Sequence, residues 1–192
     1  MRLGLLVSGR GSNLEAVLSA AIPGLEPVLV ISNRPGVRAL EVAAAHDVAT
    51  RILRRGDYGG EPAARDGAIG AAFEHAGVDL VLLAGYDQLL RSAYFEAFSG
   101  RTINIHPSLL PAHGGAGMMG IAVHRSVLAA RDAESGVTIH EVTPDLDAGP
   151  IVAQARVAVL PGDDADMLAA RVLVEEHRLL VATLAQIAAE RR

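Results

Sequence analysis

The sequence predicts an α/β fold: a mostly parallel, twisted sheet with helices on both faces and an antiparallel strand pair near its C-terminal part. Three features of the 192-residue chain predict it. Short apolar runs alternate with stretches of helical periodicity, polar or glycine-rich loops follow the apolar runs, and two late strand-like segments are separated by a single turn. Alternating strands and helices are typical of a parallel sheet, and a direct turn joins antiparallel strands.

In the first half of the chain, apolar runs indicate buried strands, and apolar residues three or four positions apart indicate helices. LGLLV and VDLVLLAG are strand-like runs, whereas VRALEVAAAH has helical periodicity. In chain order we expect strand 3–7, a helix from about residue 13, strand 27–31, helix 37–46, strand 48–53, helix 62–76, strand 78–85 and a short helix over 92–98.

The second half continues this alternation and ends with the antiparallel pair. GVTIHEV and PIVAQARV face each other across a turn, and the tail has helical periodicity. We expect strand 101–105, a helix over about 121–131, strands 136–142 and 150–157, and a helix over about 164–189. No repeat, linker or low-complexity segment interrupts the order, so residues 1–192 are expected to form a single Rossmann-like domain.

Composition excludes several kinds of chemistry. The chain has no cysteine, and all 17 of its basic residues are arginine. Disulfides, thiolate sites, Schiff bases and lysine-dependent phosphate loops are therefore excluded. A net charge of −5 with scattered arginines argues against binding to nucleic acid, and no apolar run is long enough to span a membrane. A cytoplasmic protein without membrane association is expected.

The segment LLVSGRGSNLEAVL combines a strand, a glycine-rich turn and a helix start, a pattern that favours anion binding by backbone N–H groups. Ser12 or Asn13 is expected to cap the helix. A dinucleotide fingerprint would need a third glycine where Leu14 stands, so a phosphate-binding or mononucleotide-like loop is favoured. Two alternative interpretations of the segment remain: an ordinary strand–helix turn without a ligand, and an NADP site in which Arg34 contacts the phosphate.

The segment INIHPSLLP places Asn104 and His106 two residues apart on a strand that Pro107 ends. Residues two apart point to one face of a strand. An amide beside an imidazole suits a carbonyl whose oxygen gains charge, because both can donate hydrogen bonds and the imidazole can carry a proton. The alternative is a histidine with a structural role.

The turn TPDLDAGP carries Asp145 and Asp147, again two residues apart. Turn aspartates usually bond to their own backbone. A carboxylate that instead reached His106 would stabilise its protonated form, as an acid–base catalyst requires.

The other histidines are weaker candidates. His140 lies in an apolar strand and is expected to be buried and hydrogen-bonded, whereas His113 and His124 flank a loop without metal-ligand spacing. His177 on the last helix is ambiguous. No metal site is predicted.

Taken together, the motifs SGRGSN, LLAGY, NIHPSLLP, VTPDLDAGPI and VEEH resemble those of the phosphoribosylglycinamide formyltransferase family, the folate-dependent glycinamide ribonucleotide transformylases of purine synthesis. The resemblance runs in order from Leu5 to about His177 and implies the formyltransferase fold. It also implies transfer of a formyl group from 10-formyltetrahydrofolate to the amine of N1-(5-phospho-D-ribosyl)glycinamide. These two small molecules are the expected partners, and a homodimer is a further alternative.

The resemblance also assigns roles to residues. Asn104 and protonated His106 are implied to stabilise the developing oxyanion, with His106 as general acid, and Asp147 to support the imidazolium and to assist proton transfer through water. The substrate's phosphate and ribose are implied to bind Gly11, Ser12, Asn13, Leu14 and Glu15, and its amine to lie near Glu176. The folate is implied to contact Asp87, Gln88, Leu89, Leu90 and Asn104.

Some positions depart from the family pattern. Gln88 stands where many family members have an arginine. Pro62 stands where a second arginine is expected, with Arg65 close by. The loop over residues 112–123 is longer and carries a GGxGMxG pattern that resembles a divergent bacterial branch. Arg10 is the candidate for a compensating charge at the phosphate.

Three alternatives remain. A 10-formyltetrahydrofolate hydrolase shares the fold, but such enzymes usually carry an extra N-terminal regulatory domain, which is not expected here because the first strand starts at residue 2. A methionyl-tRNA formyltransferase would be expected to have a basic C-terminal domain. A non-catalytic phosphate- or nucleotide-binding module would not need Asn104, His106 and Asp147 together.

Overall fold

The computed structural model describes residues 1–190. Its strands are β1 (Arg2–Val7), β2 (Glu26–Ser32), β3 (Ala49–Ile52), β4 (Leu80–Leu83), β5 (Arg101–His106), β6 (Glu134–Glu141) and β7 (Ile151–Ala158). Its helices are α1 (Ser12–Ser19), α2 (Arg38–Ala45), α3 (Pro62–His75), α4 (Ser92–Ala97), α5 (Ile121–Ala130) and α6 (Ala165–Glu190), with a 3₁₀ turn over Arg55–Tyr58.

The strands form a seven-stranded sheet in the order β3-β2-β1-β4-β5-β6-β7. β1 pairs in parallel with β2 and β4, and β2 pairs in parallel with β3. β6 and β7 are antiparallel, with Val137 opposite Ala155 and Thr138 opposite Gln154. The mostly parallel sheet and the late antiparallel pair predicted from the sequence are thus confirmed.

The strand bounds differ from the sequence prediction mainly in β4, which has four residues and not eight. Two backbone features shorten it. The Val78 amide donates to the Phe73 carbonyl and closes the end of α3, and Gly85 has a φ of 76°, outside the strand region. Both residues therefore serve the turns on either side of the strand.

The chain folds as two compact units, one of residues 1–103 together with the end of the chain from residue 184, the other of residues 104–183. In the first unit, β1 is buried on both faces, as expected for an inner parallel strand. The completely buried side chains there include Leu5, Val30, Ile69 and Leu82. This core fixes the loops that follow β1 and β4.

In the second unit, the buried Thr138 of β6 fixes the segment that follows β5. Its hydroxyl donates to the Ser108 carbonyl at 2.6 Å, and it accepts from the Leu110 amide at 3.0 Å and from Gln154 Nε2 at 2.9 Å. One buried hydroxyl thereby satisfies three polar groups that would otherwise lose their bonds to water. The chain leaving β5 is held close to β6 and β7.

Across residues 1–190, no helix is both long and apolar enough to cross a membrane.

Candidate active site

The end of β5 carries the predicted polar pair. Asn104 is half-buried, and His106 is 4% exposed. Nε2 of His106 donates to the backbone oxygen of His113 at 2.9 Å, because a carbonyl oxygen can only accept. The second ring nitrogen, Nδ1, lies 3.9 Å from Oδ2 of Asp147. Asp147 and His106 thus lie side by side, at a distance too long for a direct hydrogen bond.

Asp147 reaches out of its own turn. It adopts a left-handed conformation with φ of 52°, which aspartate tolerates better than most residues. Its Oδ2 accepts from the Gly115 amide at 2.8 Å, and its Oδ1 lies 3.6 Å from Nε2 of His140. Its carboxylate therefore lies between two histidines, His106 and His140, and does not serve its own backbone as turn aspartates usually do.

Gly149 makes this turn possible. A Cβ atom built on Gly149 would lie 1.9 Å from the backbone oxygen of Glu141, a distance that no side chain tolerates. The Glu141 amide donates to the Pro150 carbonyl at 2.9 Å, so the two ends of the turn are tied together. The turn that carries Asp147 closes only because residue 149 lacks a side chain.

His140 is the member of the site that the sequence did not assign to it. It is 2% exposed and hydrogen-bonded, as predicted. Its Nδ1 donates to the Glu141 carbonyl at 2.9 Å, so in the neutral ring Nε2 accepts from Nδ2 of Asn104 at 3.1 Å. The amide of Asn104 is thereby oriented, with one N–H left for a ligand. One feature of the sequence could have indicated this role: His140 lies near the carboxyl end of β6, as Asn104 and His106 lie near the carboxyl end of β5.

Burial lowers the pKa of His140, although the hydrogen bond to the Glu141 carbonyl and the charge of Asp147 oppose this effect. Burial also lowers the pKa of His124, and the neighbouring His106 lowers it further. Both rings are therefore held neutral near pH 7. A neutral His140 keeps Nε2 as an acceptor for Asn104.

This lowered pKa predicts how stability depends on pH. Below about pH 6.5 the unfolded chain takes up a proton at position 140 more readily than the native chain, so the free energy of unfolding falls as the pH drops. We expect His140→Gln to remove a part of this slope, at most about 1.4 kcal/mol per pH unit for one histidine. Urea unfolding at several pH values between 5 and 8 measures it.

The matched control is His46→Gln, since His46 is exposed at the end of α2. Its slope should equal that of the wild type. A His140→Gln protein with an unchanged slope would contradict the assignment of this titration to His140.

The loop after β1 enters α1 through a left-handed glycine. Gly11 has a φ of 75°, and a Cβ atom there would lie 2.8 Å from Cα of Ala39, so glycine is required on both counts. The predicted cap from Ser12 or Asn13 is wrong: Gly11 occupies the N-cap position, and no side chain caps α1. Position 12 already lies in the first turn of the helix, because the left-handed glycine turns the chain one residue earlier.

The other residues of this loop differ in what they can offer a ligand. Leu14 is completely buried, so only its backbone faces outward. Glu15 pairs with Nη2 of Arg38 at 2.8 Å on the surface, and Arg38 also donates to the Arg10 carbonyl. The Arg10 side chain is exposed and makes no hydrogen bond or ion pair with the residues that the structure describes.

Residues 87–90 lie in the loop after β4 of the same unit. Burial alone would raise the pKa of Asp87, but hydrogen bonds from Asn33 and Gln88 and the charge of Arg34 outweigh it and hold the pKa below its usual range. Arg34 is thus engaged by a carboxylate, which disfavours the NADP-phosphate role left open above. Leu89 is 41% exposed, and Leu90 is buried.

Arg65, close to the position of the missing family arginine, is buried on α3. Its guanidinium bonds to Oδ1 of Asp66 at 2.6 Å, and its Nη1 bonds to Oε1 of Gln88 at 3.3 Å. Pro62 is the first residue of α3, where its missing N–H costs nothing. The buried guanidinium therefore contacts the side chain that replaces the other arginine.

Glu176 lies on α6 in the second unit and is 9% exposed. Of the two histidines that flank the glycine-rich loop, His124 is buried, and His113 bonds through its ring to Ser126 and Asp132. Within residues 1–190 no group of three or more histidine, aspartate or glutamate side chains could hold a metal ion.

Comparison with known proteins assigns the chain to a protein family. The family model for formyl transferases matches residues 1–184. The chain therefore belongs to the formyl transferase family, and the resemblance seen in its motifs is confirmed.

The relatives within that family are more specific. A phosphoribosylglycinamide formyltransferase of Escherichia coli (strain K12) is 36% identical over 93% of this chain and 83% of its own length. A chloroplastic phosphoribosylglycinamide formyltransferase of Arabidopsis thaliana is 36% identical over 99% of this chain, which spans 66% of that relative. The chain spans only 14–18% of the trifunctional purine biosynthetic proteins that it also matches.

A solved structure gives the same answer for the fold. Glycinamide ribonucleotide transformylase 1 from Symbiobacterium toebii superposes with a TM-score of 0.91 at 38% identity, over 100% of this chain and 89% of that one. The predicted fold class is confirmed.

Proposed function

We propose that the chain transfers the formyl group of 10-formyltetrahydrofolate to the amine of N1-(5-phospho-D-ribosyl)glycinamide, as a single formyltransferase domain over residues 1–192. One observation carries the proposal. Asn104 and His106 come from a strand, and Asp147 comes from a turn more than 40 residues away. In one unit, Asp147 lies beside His106 and His140, and His140 in turn bonds to Asn104. The names of the relatives support the choice of substrate.

The reaction asks little of the protein beyond charge stabilisation and proton transfer. The amine nitrogen attacks the formyl carbon, a new C–N bond forms, and negative charge develops on the formyl oxygen. The bond from the formyl carbon to the folate nitrogen then breaks, the attacking amine loses one proton, and the folate nitrogen gains one. Donors placed at the oxygen stabilise the intermediate, and an acid–base group moves the proton.

The three side chains fit these tasks. The free N–H of the Asn104 amide and the Nδ1–H of protonated His106 donate to the developing oxyanion. The Asp147 carboxylate, 3.9 Å from Nδ1, attracts the positive charge on the ring. Since that distance is too long for a hydrogen bond, a bridging water carries the proton between the ring and the carboxylate.

Substrate contacts are assigned to the loop after β1, to the loop after β4 and to α6. Backbone N–H groups at the start of α1, with Gly11, Ser12, Asn13, Leu14 and Glu15, hold the phosphate and ribose, since a helix N-terminus favours an anion. Glu176 lies near the amine. Asp87, Gln88, Leu89 and Leu90 contact the folate, as Asn104 does at the formyl group.

Arg10 is the charge proposed to compensate for the missing arginines at the phosphate. Arg10→Ala should raise the KM for the ribonucleotide roughly tenfold, the effect of one charge-assisted hydrogen bond, and should change kcat less than twofold. Steady-state kinetics with the ribonucleotide as the varied substrate test this. The control is Arg51→Ala, another exposed arginine of the same unit, on β3. Equal KM values for the wild type and the Arg10 variant would refute the role.

A formyl-transfer assay on the purified chain separates the proposal from its alternatives. Formylated ribonucleotide, identified by mass spectrometry, is the expected product. Formate released equally with and without the ribonucleotide would indicate the hydrolase. Phosphate binding without any turnover would indicate the binding module. Sedimentation velocity on the same sample tests for a homodimer.

A further inference from the structure

His113 begins the glycine-rich loop, and both of its ring nitrogens are bonded. Nε2 lies 2.7 Å from Oδ2 of Asp132, and Nδ1 lies 2.8 Å from Oγ of Ser126. A carboxylate only accepts, so Nε2 donates to it, and in the neutral ring Nδ1 accepts from the Ser126 hydroxyl. The side chain, which is 13% exposed, therefore bonds to α5 and to the second residue beyond its end.

The backbone of His113 has a conformation that few side chains favour. Its φ is 54°, in the left-handed region where residues other than glycine are uncommon. In this conformation its carbonyl oxygen accepts from Nε2 of His106 at 2.9 Å. The two ring contacts of His113 oppose any rotation of the peptide that would move this oxygen away.

The same short segment also supports the other member of the acid–base pair. Two residues after His113, the Gly115 amide donates to Oδ2 of Asp147 at 2.8 Å. That oxygen is the one closest to Nδ1 of His106. One backbone segment thus contacts His106 on one side and Asp147 on the other.

The contact with the carbonyl decides which nitrogen of His106 exchanges its proton. A carbonyl oxygen cannot donate, so Nε2 keeps its hydrogen whether the ring is neutral or charged. Nδ1 is left as the nitrogen that gains and loses a proton, and it is Nδ1 that faces Asp147. The opposite tautomer would set a nitrogen lone pair against the His113 oxygen.

We propose that His113 is a positioning residue for the formyl transfer proposed above: its ring, held by Ser126 and Asp132, fixes the backbone of residues 113–115 so that His106 keeps its proton on Nε2 and presents Nδ1. The inference rests on the proposed function for its effect on rate. Its structural half, the tautomer of His106, does not depend on the substrate.

The first measurement is therefore the tautomer itself, in the wild type and in Asp132→Ala, Ser126→Ala and Asp132→Asn. Long-range ¹H–¹⁵N spectra of ¹⁵N-histidine-labelled protein above pH 8 report which ring nitrogen carries the hydrogen, and the His106→Asn spectrum identifies the His106 signals. We expect the Nε2–H form in the wild type and a mixture of tautomers in Asp132→Ala and Ser126→Ala. Asp132→Asn retains an oxygen that accepts from His113, so the Nε2–H form should persist.

The second measurement is the rate. Asp132→Ala should lower kcat roughly tenfold, because a misplaced acid–base group loses its alignment, while both KM values stay within about twofold. Asp132→Asn should restore most of kcat. Asp132 is partly exposed at the end of α5, so neither variant should unfold, and thermal melting verifies this.

The outcomes separate cleanly. An Nε2–H tautomer that persists in both alanine variants overturns the proposal, and so does a mixed tautomer with an unchanged kcat. If the wild-type chain transfers no formyl group, the proposed function fails, whereas the tautomer comparison still decides whether the anchors of His113 control His106.

Discussion

His106→Ala should lower kcat for formyl transfer by about 10²–10⁴-fold, the usual contribution of a general acid–base group. The variant loses the ring that donates to the developing oxyanion and carries the proton to the leaving nitrogen. Because His106 is buried at the end of β5 and is assigned to the transition state, the KM values for both substrates should change far less than kcat. Single-turnover measurements at saturating substrate separate the two effects.

The control for this variant is His75→Ala, since His75 is exposed at the end of α3. It should retain wild-type kcat. Full activity in His106→Ala would remove the acid–base assignment. A thermal melt that matches the wild type shows that loss of activity does not come from loss of the fold.

Asp147→Asn is the second variant with a large expected effect, a fall in kcat within the same range of about 10²–10⁴-fold. Asparagine keeps the shape, tolerates the left-handed backbone at position 147, and still offers an oxygen to the Gly115 amide. It removes only the negative charge beside the rings of His106 and His140. The variant therefore tests charge and not packing.

Asp145→Asn provides the matched control, because Asp145 stands two residues earlier in the same turn with an exposed side chain. Its kcat should stay within about twofold of the wild type, as expected for a solvent-exposed carboxylate. If Asp147→Asn were as active as Asp145→Asn, the carboxylate would have only a structural role.

The sequence predicted the elements of this fold well because strands and helices leave periodic patterns. The same periodicity predicted that Asn104 and His106 share a face, since that follows from strand geometry alone. It also predicted that His140 is buried. Spacing carries no information on contacts between distant segments, however, so the place of His140 beside Asn104 and Asp147 needed the structure.

Backbone contacts were the other feature of the site that the sequence did not predict. The His113 carbonyl and the Gly115 amide contact His106 and Asp147, yet every residue has such groups, so no residue type marks them. The capping error at Ser12 has a related cause. A left-handed glycine at the N-cap replaced the expected side-chain cap, and φ cannot be read from residue type alone.

Gly149 makes the turn at Asp147 unexpectedly sensitive to substitution. It has no functional group, but any other residue there would collide with the Glu141 carbonyl and open the turn that carries the Asp147 carboxylate. A saturation scan scored only by growth would rank position 149 beside His106 and Asp147 themselves. Intolerance to substitution would then mark a place where empty space, and not chemistry, is what the fold requires.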